Sequence, residues 1–204
     1  MKLYYKPGAC SMASHITLIE IGIPHTLELT DTVTGLTETG QYYRDINPNG
    51  YVPALELAPG QVLTENPAIL EYLAELAPAR ALIPSTMLDK ARLREALAFL
   101  ASELHKAFSP FFQHTELTAS ERASAELKLA KRLDTLEQRL AGNGPYLLGT
   151  TLSVADFYGF VILNWTQFIQ FSLQPWPAVH KFWQLLGTHP SVLLAMQKEG
   201  LTGG

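Results

Sequence analysis

Apolar residues change their spacing once along this chain, near residue 80, and that change limits the fold more than any other feature. Before it, short apolar segments alternate with turn residues. After it, long segments carry apolar residues at helical spacing.

In the first part, Leu3-Tyr4-Tyr5 suits a short strand, which Lys6-Pro7-Gly8-Ala9 breaks. Ser11 to Ile21 carries Met12, Ile16 and Ile19 at helical spacing, and Gly22 and Pro24 end that helix. Thr26 to Thr30 alternates apolar and polar as a half-buried strand does, and a loop follows from Asp31 to Gly40, with one helical turn near Gln41–Arg44. Val52–Leu57 and Gln61–Thr64 flank Ala58-Pro59-Gly60 as a hairpin, and Pro53 puts its strand at an edge or at a strand start. Glu65-Asn66-Pro67 then opens a helix with Pro67 at its first position and Ile69, Leu70, Leu73 and Leu76 on one face. This order predicts a small α/β unit with a mixed sheet. Beyond the connector from Ala77 to Ser85, helices are expected near 89–112, 118–141, 153–171, 176–187 and 191–198. Two domains follow, residues 1–80 and an all-helical 88–204.

Composition narrows the partners. With 47% hydrophobic and 17% charged residues, the chain can bury a sizeable core. Its net charge of -4 offers no basic footprint for nucleic acid. No apolar run approaches the roughly 18 residues of a membrane span, and no N-terminal signal is visible, so a soluble cytoplasmic protein is expected. The single cysteine, Cys10, rules out an intrachain disulfide and suits a reducing compartment. The six histidines show no metal-ligand spacing, so no metal site is expected.

Cys10 is the first chemical candidate. It falls between a strand-ending turn and a helix start, the placement of the reactive cysteine in thioredoxin folds. Amides and the dipole at a helix start favour a thiolate. A free thiol titrates near about 8.5, so only roughly 3% is thiolate at pH 7, and lowering that value by about two units takes about 2.7 kcal/mol. A helix start and one charge-assisted hydrogen bond can supply that. The plainer reading is a small core residue. At Val52-Pro53 a cis bond would turn main-chain groups outward to pair with an extended peptide, the ordinary trans strand start being the commoner arrangement. Amides around Asn66 can hold a carboxylate while Glu65 pairs with an ammonium, a set that suits an α-amino-acid head group. The alternative is a plain cap with Asn66 as N-cap. Ser153-Val154-Ala155-Asp156 reads as a structural capping box. His105 sits on the first long helix of the second part, where a lone histidine is more often a surface or satisfied residue. Phe108, Phe111, Phe112, Trp165 and Phe168 can form core or wall an apolar pocket.

The strings Tyr5-Lys6-Pro7-Gly8-Ala9-Cys10-Ser11, Asn47-Pro48-Asn49-Gly50-Tyr51-Val52-Pro53-Ala54-Leu55, Thr64-Glu65-Asn66, Glu103-Leu104-His105-Lys106 and Ser153-Val154-Ala155-Asp156 resemble the bacterial beta-class (cysteine-type) glutathione S-transferases in register along the whole chain. The resemblance implies an α/β thioredoxin-like N-terminal domain that binds glutathione, followed by an all-α helical C-terminal domain that contributes the hydrophobic substrate site. It implies that Cys10 lies beside the glutathione sulfur, that Val52 before a cis Pro53 pairs with the cysteinyl unit, and that Glu65 and Asn66 hold the γ-glutamyl head. His105 would approach the sulfur from the second domain, with Tyr5, Ser11 and Ser102 also at the site and Ser11 as a hydrogen-bond donor to the sulfur. The implied activity conjugates the glutathione thiolate to small hydrophobic electrophiles in a cytoplasmic homodimer, with Cys10-dependent thiol–disulfide exchange beside it. The alternative is a non-catalytic protein that binds glutathione and hydrophobic ligands on the same fold. Three positions depart from the pattern. Gly35 falls where relatives often carry a lysine that contacts the glycyl carboxylate, Ala98 where some carry an asparagine, and Asn66 replaces a small residue.

Overall fold

The computed structural model describes residues 1–113 and 115–201; residues 202–204, which the sequence division assigns to the second domain, lie outside the described residues. The described chain divides into two compact units, Met1–Ile83 with Thr188–Gly204, and Pro84–Gly187.

In the first unit, β1 (Lys2–Tyr5), α1 (Ser11–Ile21) and β2 (Thr26–Asp31) make a parallel crossover, with Leu3 opposite Leu27. Gly22 ends α1 at φ 72, where its N–H reaches the Ile19 carbonyl and that of Ile23 reaches Leu18. Glycine takes this left-handed cap without a Cβ penalty. The hairpin of β4 (Ala54–Ala58) and β5 (Gln61–Thr64) joins the other side of β1, β4 running antiparallel to it. The sheet order is β3-β2-β1-β4-β5. Its edge strand β3 (Leu36–Thr37) is two residues long and falls inside the segment that the sequence reads as loop. No alternation announces it, because backbone pairing with Thr30 and Asp31 holds it rather than an apolar face. The helical turn of this region is a 3-10 turn at Tyr43–Asp45.

α2 (Asn66–Leu76) follows β5, and Leu3, Met12, Ile16, Leu55, Ile69, Leu70 and Leu73 are wholly buried. A second cluster of Tyr4, Tyr43, Val52 and Ala54 packs with Ala9, Ile46 and Val62, which brings the segment before β4 against the turn after β1. The last helix, α8 (Pro190–Lys198), groups with this unit although it follows the helical segment in sequence, because it packs on α1. Ser191 donates to Glu20 at 2.5 Å, and Glu199, just past α8, binds His15 Nδ1 at 2.8 Å through one carboxylate oxygen and the Gly8 N–H at 2.9 Å through the other. These bonds tie the C-terminal segment to the turn that precedes Cys10.

The second unit is helical. α3 (Met87–Phe99) starts on a Thr86 cap to the Asp89 N–H. The chain then passes through a π turn at Leu100–Leu104, α4 (His105–Phe108) and a 3-10 turn at Ser109–Phe112. The helix expected over 89–112 therefore exists but changes pitch three times. α5 (Ala119–Asn143) begins with a capping box, and α6 (Val154–Phe168) is buried along nearly its whole length. α7 (Pro177–Gly187) gives the amides of Ala178 and Val179 to the Glu137 carboxylate at 3.0 and 2.9 Å, so α5 caps α7. Among the described residues no helix is long and apolar enough to cross a membrane.

Candidate functional site

The turn after β1 places the chain's one thiol. Gly8 stands at φ 69, the Ala9 N–H returns to the Lys6 carbonyl at 3.1 Å, and Cys10 becomes the N-cap residue of α1. Ser11 is fully buried, and its hydroxyl both donates to the Lys6 carbonyl and accepts from the Lys6 N–H, each at 3.2 Å. It closes the turn. To donate to a ligand sulfur it would have to leave that carbonyl.

Cys10 is half-buried. Its side chain makes no capping bond to α1 and instead donates from Sγ to the Val52 carbonyl at 3.2 Å. The helix-start reading expects amides to favour a thiolate, whereas this pose belongs to the neutral thiol, since only S–H can donate to a carbonyl.

Val52 is held from behind. The Tyr51 carbonyl accepts both the Tyr43 hydroxyl at 2.8 Å and Asn47 Nδ2 at 2.6 Å, and the Val52–Pro53 peptide is cis. Burial pushes the Tyr43 phenol well above its ordinary range, so it stays protonated as a donor. Tyr5 ends β1 with its ring 6.3 Å from that of His15. Burial first, then Glu199 and Glu38, raises its phenol too.

At the start of α2 the cap shifts by one residue from the sequence reading. Glu65, exposed, is the N-cap at φ 67, ψ 113, and Asn66 is the first helical residue, which moves Pro67 to the second position. A non-glycine residue at positive φ is strained and persists where surrounding structure holds it. The side chain of Asn66 points inward: Nδ2 donates to the Cys10 carbonyl at 2.9 Å, and Oδ1 accepts from Ser14 at 2.6 Å. Cys10, Val52 and Asn66 are thus joined directly, and Asn66 is left to meet a ligand through its main chain.

Ser102 and His105 belong to the second unit. Ser102 is exposed on the π turn and donates to the Ala98 carbonyl at 2.8 Å. π turns are often found at functional positions. His105 follows it, with Nδ1 2.9 Å from the Tyr158 hydroxyl and its ring edge-on to Trp165 at 4.7 Å. Burial first, then Lys106, lowers its pKa to about 4, so the imidazole is neutral at pH 7. Phe108 and Phe112 pack edge-on against the same indole at 5.6 and 5.7 Å, and Phe112 and Phe168 are about half exposed. An aromatic wall around a neutral imidazole can hold an apolar molecule beside a proton acceptor.

Residues 8–76 match the model of the glutathione S-transferase N-terminal domain, and residues 99–190 that of its C-terminal domain. The chain is 37% identical to glutathione S-transferase GstA of Escherichia coli O157:H7 across 98% of this chain and all of the relative. The chain belongs to the glutathione S-transferase family. Within that family it resembles the beta-class transferase of Sphingomonas chungbukensis, at 38% identity and a TM-score of 0.93 over 99% of this chain and all of the other. It is equally similar to a sphingomonad glutathione S-transferase solved with glutathione, at 39% identity and a TM-score of 0.92 over the same shares.

Several residues of the site carry no sequence signal of their own. Tyr43 and Asn47 hold Tyr51, Ser14 orients Asn66, Tyr158 meets His105, and Glu199 reaches Gly8 across almost the whole length of the chain. Only Asn47 stood inside a motif, the Asn-Pro-Asn-Gly turn before Val52.

Proposed function

We propose that this chain is a glutathione transferase that conjugates the glutathione thiolate to small hydrophobic electrophiles. The observation that carries the reading is the Val52 main chain, held by Tyr43 and Asn47 beside the Cys10 thiol at the starts of α1 and α2. An extended peptide can pair with that main chain as one more strand. Its amino-acid head meets the α2 amides with its carboxylate and the exposed Glu65 with its ammonium. Tyr5 and Pro53 flank the bound tripeptide beside Cys10, whose turn Ser11 holds closed, and the tripeptide's thiol proton passes to solvent, while Ser102 and the neutral imidazole of His105 are candidate groups of the second unit for the apolar substrate. The sulfur then attacks an electrophilic carbon: a C–S bond forms, and a leaving group departs with its electron pair or the resulting carbanion takes a proton. The aromatic residues around Trp165 suit an apolar second substrate. The assembly is a homodimer in the cytoplasm, and no step calls for a metal.

The half-buried lone thiol favours a second activity on the same site. Cys10 as thiolate attacks the glutathionyl sulfur of a mixed disulfide RS–SG, the S–S bond breaks and RS⁻ leaves, and the thiolate of a second glutathione then resolves Cys10–SG, which releases oxidised glutathione and restores Cys10. Calorimetry of the reduced protein with glutathione, followed by conjugation assays on a panel of electrophiles, tests the main reading. Micromolar to millimolar binding with turnover is expected. No heat of binding would sink it, and heat without turnover would favour a ligand-binding protein. Cys10→Ser is expected to abolish disulfide reduction.

A further inference from the structure

Asn66 is 4% exposed, and both ends of its amide are engaged inside the protein. The Cys10 carbonyl can only accept, so the end that faces it at 2.9 Å is the nitrogen. The Ser14 hydroxyl, donating to the opposite end at 2.6 Å, fixes that orientation. The asparagine amide donates from one end and accepts at the other, so it spans the gap between the two partners, whereas a serine hydroxyl carries its donor and acceptor on a single atom. Besides the Ala13 N–H that its carbonyl accepts at 3.1 Å within α1, Cys10 is held at both its main chain and its thiol. Its main chain is tied to the first turn of α2, and its Sγ–H rests on the Val52 carbonyl at 3.2 Å. Ionising the thiol removes that second bond and sets S⁻ against the oxygen lone pairs.

We propose that Asn66 is a positioning residue, which fixes the Cys10 main chain so that the thiol lies on the Val52 carbonyl and is restrained in its neutral form. The inference rests on the proposed function only in taking Cys10 as a reactive group, and its test needs no glutathione. Asn66 acts through geometry, so its removal frees the thiol rather than deleting a ligand contact.

Because the chain has one cysteine, alkylation by iodoacetamide reads Cys10 alone. The rate is followed against pH in the reduced, ligand-free full chain for wild type, Asn66→Ala, Asn66→Ser and Ser14→Ala. Both Asn66 variants are expected to show a midpoint at lower pH and about fivefold faster alkylation at pH 7, the factor of one neutral hydrogen bond. Ser14→Ala keeps the wild-type midpoint while losing thermal stability, because Asn66 still reaches Cys10. Greater exposure alone would raise the high-pH plateau and leave the midpoint in place. If Asn66→Ala does not fold, Asn66→Ser carries the test. An unmoved or raised midpoint in the Asn66 variants, or an equal shift in Ser14→Ala, overturns the inference. A wild-type Cys10 inert at every pH instead removes Cys10 from the proposed chemistry, and this inference with it.

Discussion

Asp156 lies wholly buried at the start of α6. Its carboxylate accepts the Leu147 N–H at 2.7 Å on Oδ1, and the Ser153 N–H and hydroxyl at 2.7 and 2.8 Å on Oδ2. Asp156→Ala removes a helix-start bond worth about 1 kcal/mol and leaves the buried Leu147 N–H without an acceptor at about 1–3 kcal/mol. With the small void added, a loss of about 3–5 kcal/mol is expected, a large share of the 5–15 kcal/mol typical of a folded domain. Urea titration and thermal melting at pH 7 measure it, and a loss below about 1 kcal/mol would refute the accounting.

The pH dependence of the same residue is a sharper test. Burial pushes the Asp156 carboxyl up to about 6 from 3.8, against the lowering by its three donors. A raised carboxyl means that the folded state binds more protons than the unfolded between those two values. Stability from this group is then greatest below about 4 and is lost as pH rises through 6, by about 3 kcal/mol in all. Asp156→Asn cannot titrate, so its cost relative to wild type should be larger at pH 4 than at pH 7. Were the three donors to outweigh burial, that cost would instead grow as pH rises, and the burial argument would be wrong.

Three further expectations follow from other parts of the molecule. Glu199→Ala takes the carboxylate away from the Gly8 N–H and the buried His15, and should cost about 3–5 kcal/mol in a chemical melt, the range for breaking a buried pair; a change under about 1 kcal/mol would show the clamp to be idle. His105, lowered to about 4 by burial, takes its proton more readily when unfolded, so stability is lost as pH falls from about 6.5 towards 4. His105→Gln should flatten that slope by about 1–2 kcal/mol, read as variant minus wild type because Asp156 acts in the opposite sense over the same range. Gly35 sits at φ 73 with open space around a built Cβ, so Gly35→Lys should cost only about 1 kcal/mol of stability while tightening glutathione several-fold by calorimetry; unchanged affinity would remove position 35 from ligand binding.

Element order and helix limits were legible because periodicity reports burial directly. The α1 limits read from Met12, Ile16 and Ile19 are those observed, and α7 and α8 fall within one or two residues of expectation. Periodicity does not report what holds a polar segment. The edge strand β3 and the changes of pitch before and after His105 rest on main-chain pairing and local packing, and the sequence carries no alternation for either. α8 illustrates a second limit. Its helical pattern was clear, yet its grouping with the first unit depends on Glu199 meeting His15 and Gly8, partners more than 180 residues away.

The candidate site shows where residue identity stops short of role. Motif strings located Cys10, Val52 and Asn66, but a cap that moves by one residue changed what Asn66 can do. As an N-cap its side chain would turn back to its own helix; as the first helical residue it reaches the Cys10 carbonyl. Ser11 was likewise found by the motif and then committed to Lys6. In both cases a polar side chain beside the thiol is consumed by the main chain that presents it. A ligand arriving at Val52 would then meet mostly backbone groups, and main-chain recognition tolerates side-chain change at the rim. That tolerance gives a physical reason why position 35 can carry a glycine where the resemblance implies a lysine, whereas Asn66 lies inside the protein and acts on the Cys10 main chain itself.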